Sequence, residues 1–259
     1  MSFVKTLHPG QRLMSFIHLV RKAGRFGALA SIVAALSGCQ GIVNSPTMSQ
    51  IRIINASPDA PGLDIYQNSA IIASDLGFGS ITSYVPIDPG TYTTTANAFG
   101  TKQVLSSSKT TFVTANQYTV LIGNVAASLQ QLTLKDQSQA APSGQIALRF
   151  IDQATRIAAV DVYLIPSGSK LTDVTPVYTN LSFGINTGYL NIPIGTYSLA
   201  MVPTGTIPTS TTVLTYGGPQ VTYTSGSAST VILIDQQLLT TPGLQVITAP
   251  DFVSPIATS

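Results

Sequence analysis

The chain has 259 residues, 44% of them hydrophobic and only 8% charged, a length sufficient for one large domain or two ordinary ones. Val, Ile, Thr, Tyr and Ser dominate, with 21 Gly and 16 Pro as punctuation. That is a strand-and-turn composition, and no apolar run reaches the roughly 18–20 residues of a spanning helix. Five of the 12 basic residues precede Phe26, so from Cys39 onward seven basic residues face 10 acidic ones. The resulting mild acidity argues against nucleic acid as a partner and against polybasic attraction to anionic lipid.

The first 38 residues divide as an export signal does. A basic region ends at Arg25, Phe26 to Leu36 is uncharged and apolar, and small residues lead to the only cysteine, Cys39. The apolar stretch is too short to cross a bilayer and right for a signal core. Met14 is an alternative start to Met1. The junction Leu36-Ser37-Gly38-Cys39 resembles the lipobox of bacterial lipoproteins. That resemblance implies cleavage before Cys39, a diacylglyceryl group on its thiol and attachment to a membrane through lipid. Two or more acyl chains anchor stably where one is marginal. Gln40 follows the cysteine where Asp often marks inner-membrane retention, so the expected location is the outer membrane or cell surface. Residues 39–50 read as a tether.

Beyond the tether the chain repeats itself. Arg52, Asp64 and Tyr66 recur as Arg149, Asp161 and Tyr163, all at an offset of 97. Tyr84, Gly90 and Tyr92 recur as Tyr189, Gly195 and Tyr197 at 105, and Thr119-Val120-Leu121 recurs as Thr230-Val231-Ile232 at 111. Tracts in register with loop insertions between them mean duplication. Each tract is short and β-branched, with Gly or Pro turns at the spacing of a sandwich or barrel. Alternation places Ile51, Ile53, Leu63 and Ile65 on the core face, with Arg52, Asp64 and Tyr66 on the other. If their strands are antiparallel neighbours, Arg52 pairs with Asp64 and Arg149 with Asp161 on the outward face, each pair worth about 0.2–1 kcal/mol.

The segments Pro89-Gly90-Thr91-Tyr92 and Ile194-Gly195-Thr196-Tyr197 place a tight turn before a strand that starts with Tyr. Similar corners occur in immunoglobulin-like and transthyretin-like sandwiches. There the Tyr pins the corner by packing and a hydroxyl hydrogen bond, a role this resemblance implies for Tyr92 and Tyr197. The expected fold is all-β, two tandem immunoglobulin-like or transthyretin-like β-sandwich domains after an N-terminal signal segment. The expected boundaries are 1–38 for the signal peptide, 39–50 for the tether, 51–137 for the first sandwich, 138–145 for the linker and 146–259 for the second. The run from Arg52 to Asp64 (RIINASPDAPGLD), followed by Ile65-Tyr66, Phe78-Gly79 and Pro89-Gly90-Thr91-Tyr92, resembles the DUF4397 domain of bacterial envelope proteins. The likeness covers 51–137, and 146–250 more loosely, where Gln153 to Ala158 replace the Ser-Pro-Asp-Ala-Pro turn. It implies fold and location without supplying a chemistry.

The chemical inventory is short. Both histidines lie in the leader, the chain has no Glu and no Trp, and lipid would consume Cys39. Triads built on Ser-His-Asp or Cys-His lose their base. Zinc and copper lose their ordinary ligands, so no metal and no cofactor is expected. Ser106 to Lys109 and Ser167 to Lys170 fit the Ser-x-x-Lys spacing, but the chemistry needs a shared helix face and these lie among strands and loops. Asp59 reads as a turn cap between Pro58 and Pro61 rather than a Ca²⁺ ligand. The function expected from this deficit is non-catalytic. It is a cell-envelope lipoprotein serving as a binding, adhesion or scaffold module toward another envelope protein or a polysaccharide. The alternative is a carbohydrate or small-ligand binder using sandwich-end loops; a hydrolase built on Ser/Lys or Asp ranks last.

Overall fold

The computed structural model describes residues 47–237 and 243–253. The expected signal segment, the expected lipobox residues Leu36, Ser37 and Gly38, and Cys39 lie outside the described residues. No helix among the described residues is long and apolar enough to cross a membrane.

Eight strands form the first sandwich. In chain order they are β1 (Ser49–Asn55), β2 (Leu63–Gln67), β3 (Ala70–Leu76), β4 (Val85–Ile87), β5 (Gly90–Ala98), β6 (Val104–Phe112), β7 (Gln117–Gly123) and β8 (Gln130–Lys135). Eight more form the second: β9 (Gln145–Asp152), β10 (Val160–Pro166), β11 (Tyr178–Leu181), β12 (Asn186–Pro193), β13 (Gly195–Pro203), β14 (Tyr216–Tyr223), β15 (Ala228–Asp235) and β16 (Leu244–Phe252). The first sandwich pairs the sheets β4-β1-β7-β8 and β3-β2-β5-β6, and the second pairs β12-β9-β15-β16 and β11-β10-β13-β14. Adding eight to each label of the first converts it into the second. The protein is all-β, built as two sandwiches of one topology.

At the centre of one sheet in each sandwich two strands run parallel, β1 with β7 and β9 with β15. Their registers correspond: Arg52 lies opposite Thr119, and Arg149 opposite Thr230. Ile51, Ile53, Leu63 and Ile65 are buried together between the sheets of the first sandwich, with Val120 and Phe112. Phe150, Val160, Val162, Met201 and Val231 do the same in the second.

A third apolar cluster joins the two halves. Ile54, Leu121 and Leu134 of the first sandwich pack with Ile151, Ile232, Ile234 and Ile247 of the second. The sheets containing β1 and β9 therefore meet face to face, and the described residues form one compact unit. Being covered on both sides explains why β7 (QYTVLIG) is buried at every position and why β15 (ASTVILID) is nearly so. The outer strand β6 (VLSSSKTTF) instead exposes Ser107, Lys109 and Thr111. Continuous apolar runs mark a sheet buried on both faces, and alternation marks one with a wet face.

Candidate functional site

The ionisable residues that recur between the copies converge where the two inner sheets meet. On β1 and β9 the odd-even alternation of a strand turns Arg52 and Arg149 away from their own cores. That direction leads into the partner sandwich rather than into water. Arg52, Arg149, Asp136 and Asp251 are each 3% exposed.

The bonding is reciprocal. Arg52 donates from Nε to Thr119 at 2.8 Å, from Nη1 to the Pro250 carbonyl at 2.7 Å, and from Nη2 to the Asp251 carboxylate. Arg149 donates from Nε to Thr230 at 3.0 Å, from Nη1 to the Lys135 carbonyl at 3.1 Å, and from Nη2 to the Asp136 carboxylate at 2.6 Å. Each guanidinium thus bonds a threonine of its own sandwich and a carboxylate at the end of the other sandwich's final hairpin. Those carboxylates are held in turn at home. Thr119 and Tyr84 donate to Asp136 at 2.6 and 2.7 Å, and Thr230 and Tyr189 donate to Asp251, both at 2.7 Å. The Tyr84 and Tyr189 rings also lie under Arg52 and Arg149, each 4.6 Å from guanidinium carbon to ring centre.

Burial sets the protonation chemistry of this seam. It pushes the Tyr84 and Tyr189 hydroxyls up, helped by the Asp136 and Asp251 charges respectively, so both remain donors. Burial also raises Asp251, the nearby Asp136 charge adds to that, and Arg52 opposes both. Two guanidiniums match two carboxylates, and their bonding groups are turned toward one another. The arrangement holds two sheets together.

The expected surface pairs do not form. β1 and β2 belong to different sheets, so Arg52 and Asp64 are not cross-strand neighbours, and Arg149 and Asp161 are parted the same way. Asp64 instead accepts from the Ser74 hydroxyl at 2.7 Å, the Asp75 amide at 3.1 Å and the Gly100 amide at 3.0 Å. Asp161 accepts from the amides of Asn180 at 2.8 Å and Gly205 at 3.1 Å. Gly100 and Gly205 sit in hairpin turns at φ 69° and 79°, and Asp75 and Asn180 are non-glycine residues at φ 51° and 56°. Each aspartate therefore clasps a turn and an irregular neighbouring strand. The Ser74 and Gly100 bonds hold the Asp64 carboxyl below the usual carboxylate range. The sequence expectation failed because alternation tells which face a residue takes and not which sheet its strand joins.

At the corners, the Tyr92 hydroxyl donates to the Asp88 carbonyl at 3.1 Å and the Tyr197 hydroxyl to the Pro193 carbonyl at 3.0 Å. Gly90 and Gly195 begin the strands that carry these rings. A side chain at 195 would meet the Tyr197 ring at 3.0 Å, so the close approach calls for glycine there. Replacing either tyrosine with phenylalanine is expected to cost about 0.5–1.5 kcal/mol, the net value of one such bond, read as a lower urea midpoint at unchanged slope.

Ser106 accepts from Gln131 at 2.9 Å, and three residues along a strand put Lys109 on the opposite face. Ser167 and Lys170 flank an exposed turn, where the Lys170 amide donates to Asp173 at 3.1 Å. Asp59 accepts from the Ala126 amide at 2.7 Å. Among the described residues no group of three His, Cys, Asp or Glu could hold a metal. The seam residues that sequence reasoning missed are Asp136 and Asp251. Each follows the final alternating tract of its copy, a repeat visible at an offset of 115.

No curated protein sequence matches the chain. Among solved structures it is similar to one described as α-glucan binding by a streptococcal virulence factor, at 11% identity over 71% of this chain and 92% of that one, with a TM-score of 0.25. It is also similar to a family 41 carbohydrate-binding module from streptococcal virulence factors, at 9% identity, 73% and 95% coverage and a TM-score of 0.24. A third is a family CBM26 module of Eubacterium rectale Amy13K in complex with maltoheptaose, at 12% identity, 79% and 98% coverage and a TM-score of 0.24. Residues 49–163, which carry Arg52, Tyr84, Asp136 and Arg149 of the seam, match the family model described as Domain of unknown function (DUF4397).

Proposed function

We propose that this chain is a non-catalytic module of the bacterial cell envelope, tethered to a membrane through lipid on Cys39, whose two fused sandwiches bind or space another envelope protein or a polysaccharide. The second sandwich is read as a diverged copy of the first domain. The observation that carries the proposal is the seam. The charged groups repeated between copies are consumed in holding the two halves together: Arg52 and Arg149 on Asp251 and Asp136, and Asp64 and Asp161 on backbone turns. A catalytic centre keeps such groups facing an opening where substrate can reach them. What remains outside is a hydroxyl-rich pair of outer sheets and the loop ends, surfaces suited to holding a partner.

Two measurements on the full chain expressed in a bacterium test this. Mass spectrometry of the mature N-terminus is expected to find an acylated Cys39; an unmodified Cys39 would remove the anchor. Capture from solubilised envelope, beside a glycan array, is expected to return a saturable partner. Turnover of a model ester or peptide that is lost with Ser106→Ala or Ser167→Ala would replace the reading with an enzyme.

A further inference from the structure

The second sandwich contains a cavity of about 160 Å³, placed between β14 and β16, the edge strands of its two sheets. Buried Phe150, Leu164 and Val231 line its inner part, and exposed Val221 and Thr248 its outer part. Tyr197, Tyr216 and Tyr223 stand around it.

The first sandwich shows what this place looks like when closed. There Gln67 donates to Thr94 at 3.1 Å, Gln131 of β8 donates to Ser106 of β6 at 2.9 Å, and the Thr110 and Thr133 hydroxyls are 3.2 Å apart. The last two contacts stitch the sandwich edge. Strand register gives their counterparts without ambiguity. Gln67 opposite Thr94 becomes Leu164 opposite Leu199. Gln131 opposite Ile122 becomes Val246 opposite Leu233. Thr110 opposite Tyr92 becomes Val221 opposite Tyr197. Each of the three polar contacts has thus lost at least one partner to an aliphatic side chain, and Thr248 has lost the threonine that Thr133 faces.

Phe112 of the first sandwich becomes Tyr223, since each lies opposite the glycine that begins the preceding strand, Gly90 or Gly195. The Tyr216 and Tyr223 hydroxyls accept and donate no hydrogen bond within the described residues. Burial pushes both upward, and Tyr223 rises further from its nearness to Tyr216. Gly218 makes room for this pair, because a methyl there would stand 3.1 Å from the Tyr216 ring.

We propose that this slot binds a phenol-class group, a single aromatic ring bearing one hydroxyl, with the ring among the leucine and valine side chains and its hydroxyl between those of Tyr216 and Tyr223. The size agrees: an apolar cavity of about 150 Å³ takes a benzene-sized guest. A sugar ring carries hydroxyls on all sides and would leave those facing the leucine and valine side chains unmatched. A plain hydrocarbon would offer the two tyrosine hydroxyls no hydrogen bond. The proposal goes beyond the envelope role and does not depend on the lipid anchor.

The test is a titration of the methyl-labelled full chain with p-cresol, toluene and maltose, followed by NMR. Saturable shifts are expected for p-cresol at Leu199, Val221 and Val246, with a Kd of about 1 mM or tighter for a ligand of this size. Leu199→Phe fills the slot and is expected to weaken p-cresol by about tenfold or more, an effect of roughly one lost contact set. Tyr223→Phe, which restores the residue type at 112, is expected to weaken p-cresol while leaving toluene unchanged, and its own spectrum reports folding. Absence of saturation at these methyls, an unchanged response in Tyr223→Phe, or saturation by maltose in place of p-cresol would each overturn the assignment.

Discussion

Replacing Arg149 with methionine is expected to lower the unfolding free energy by about 3–5 kcal/mol, the cost of breaking a buried ion pair by removing one partner. Methionine keeps much of the volume, so the loss is not a cavity effect. It comes from Asp136, which retains Thr119 and Tyr84 but loses the cation bonded to it at 2.6 Å. The Lys135 carbonyl loses its donor as well. Urea unfolding followed by circular dichroism is expected to show a lower midpoint, with the two sandwiches beginning to unfold in separate steps as their shared face loosens. A second change, Asp136→Leu, removes the carboxylate that has lost its bonded cation and is expected to restore part of the loss, since a buried pair replaced by apolar groups is often neutral or better. A single-variant cost below about 1 kcal/mol, the scale of a surface pair, would show that the apolar cluster alone fastens the halves.

Asp152→Asn is expected to stabilise the protein at pH 8 by about 2–4 kcal/mol and to change little at pH 4, at 1.36 kcal/mol per unit of pKa displacement. Asp152 is 1% exposed, and burial, opposed by the Ala154 amide and reinforced by the Asp235 charge, pushes its carboxyl up from 3.8 to about 7. Between those values the folded state keeps a proton that the unfolded chain has released. Stability therefore falls as pH rises through that window, and above it the full penalty is present. The first sandwich already holds the amide. Asn55 accepts from the Ser57 amide at 3.0 Å, as Asp152 accepts from the Ala154 amide at 2.7 Å, and it also donates to the Leu76 carbonyl at 2.9 Å. An ionised carboxylate cannot make that last bond. Thermal unfolding across pH 4–8 reads the effect; parallel curves for the two proteins would sink it.

How much of this was legible varied with the range of the interaction involved. Strand type and core face follow from alternation and β-branching over a few residues, so Ile51, Ile53, Leu63 and Ile65 fall on the core side where periodicity puts them. The corner tyrosines make their hydrogen bonds four residues back in the chain, close enough for a local motif to carry them. The seam is a different matter. Arg52 and Asp251 are 199 residues apart, and nothing within a strand says that its second face meets another sheet rather than water. One clue was present: the tracts Thr119-Val120-Leu121-Ile122 and Thr230-Val231-Ile232-Leu233 run apolar on both faces, the pattern of a strand covered twice. Arginines on the strands beside such tracts, Arg52 opposite Thr119 and Arg149 opposite Thr230, are buried partners, and Asp136 and Asp251 at matching places in the two copies were their candidates.

By itself the sequence determined that the chain is β-structured, that it repeats, that imidazole is absent from everything after His18, and that glutamate is absent from the whole chain. These are properties of composition, period and short-range sterics, which are written residue by residue. Tertiary structure alone decided that β1 and β2 lie in separate sheets, that Arg52 and Arg149 each reach into the other sandwich, and that the edge closed by Gln131 and Thr110 in the first copy is open in the second. Those outcomes depend on which faces come together once both sandwiches have formed, and burying apolar surface is a non-directional drive that does not name its partner in advance.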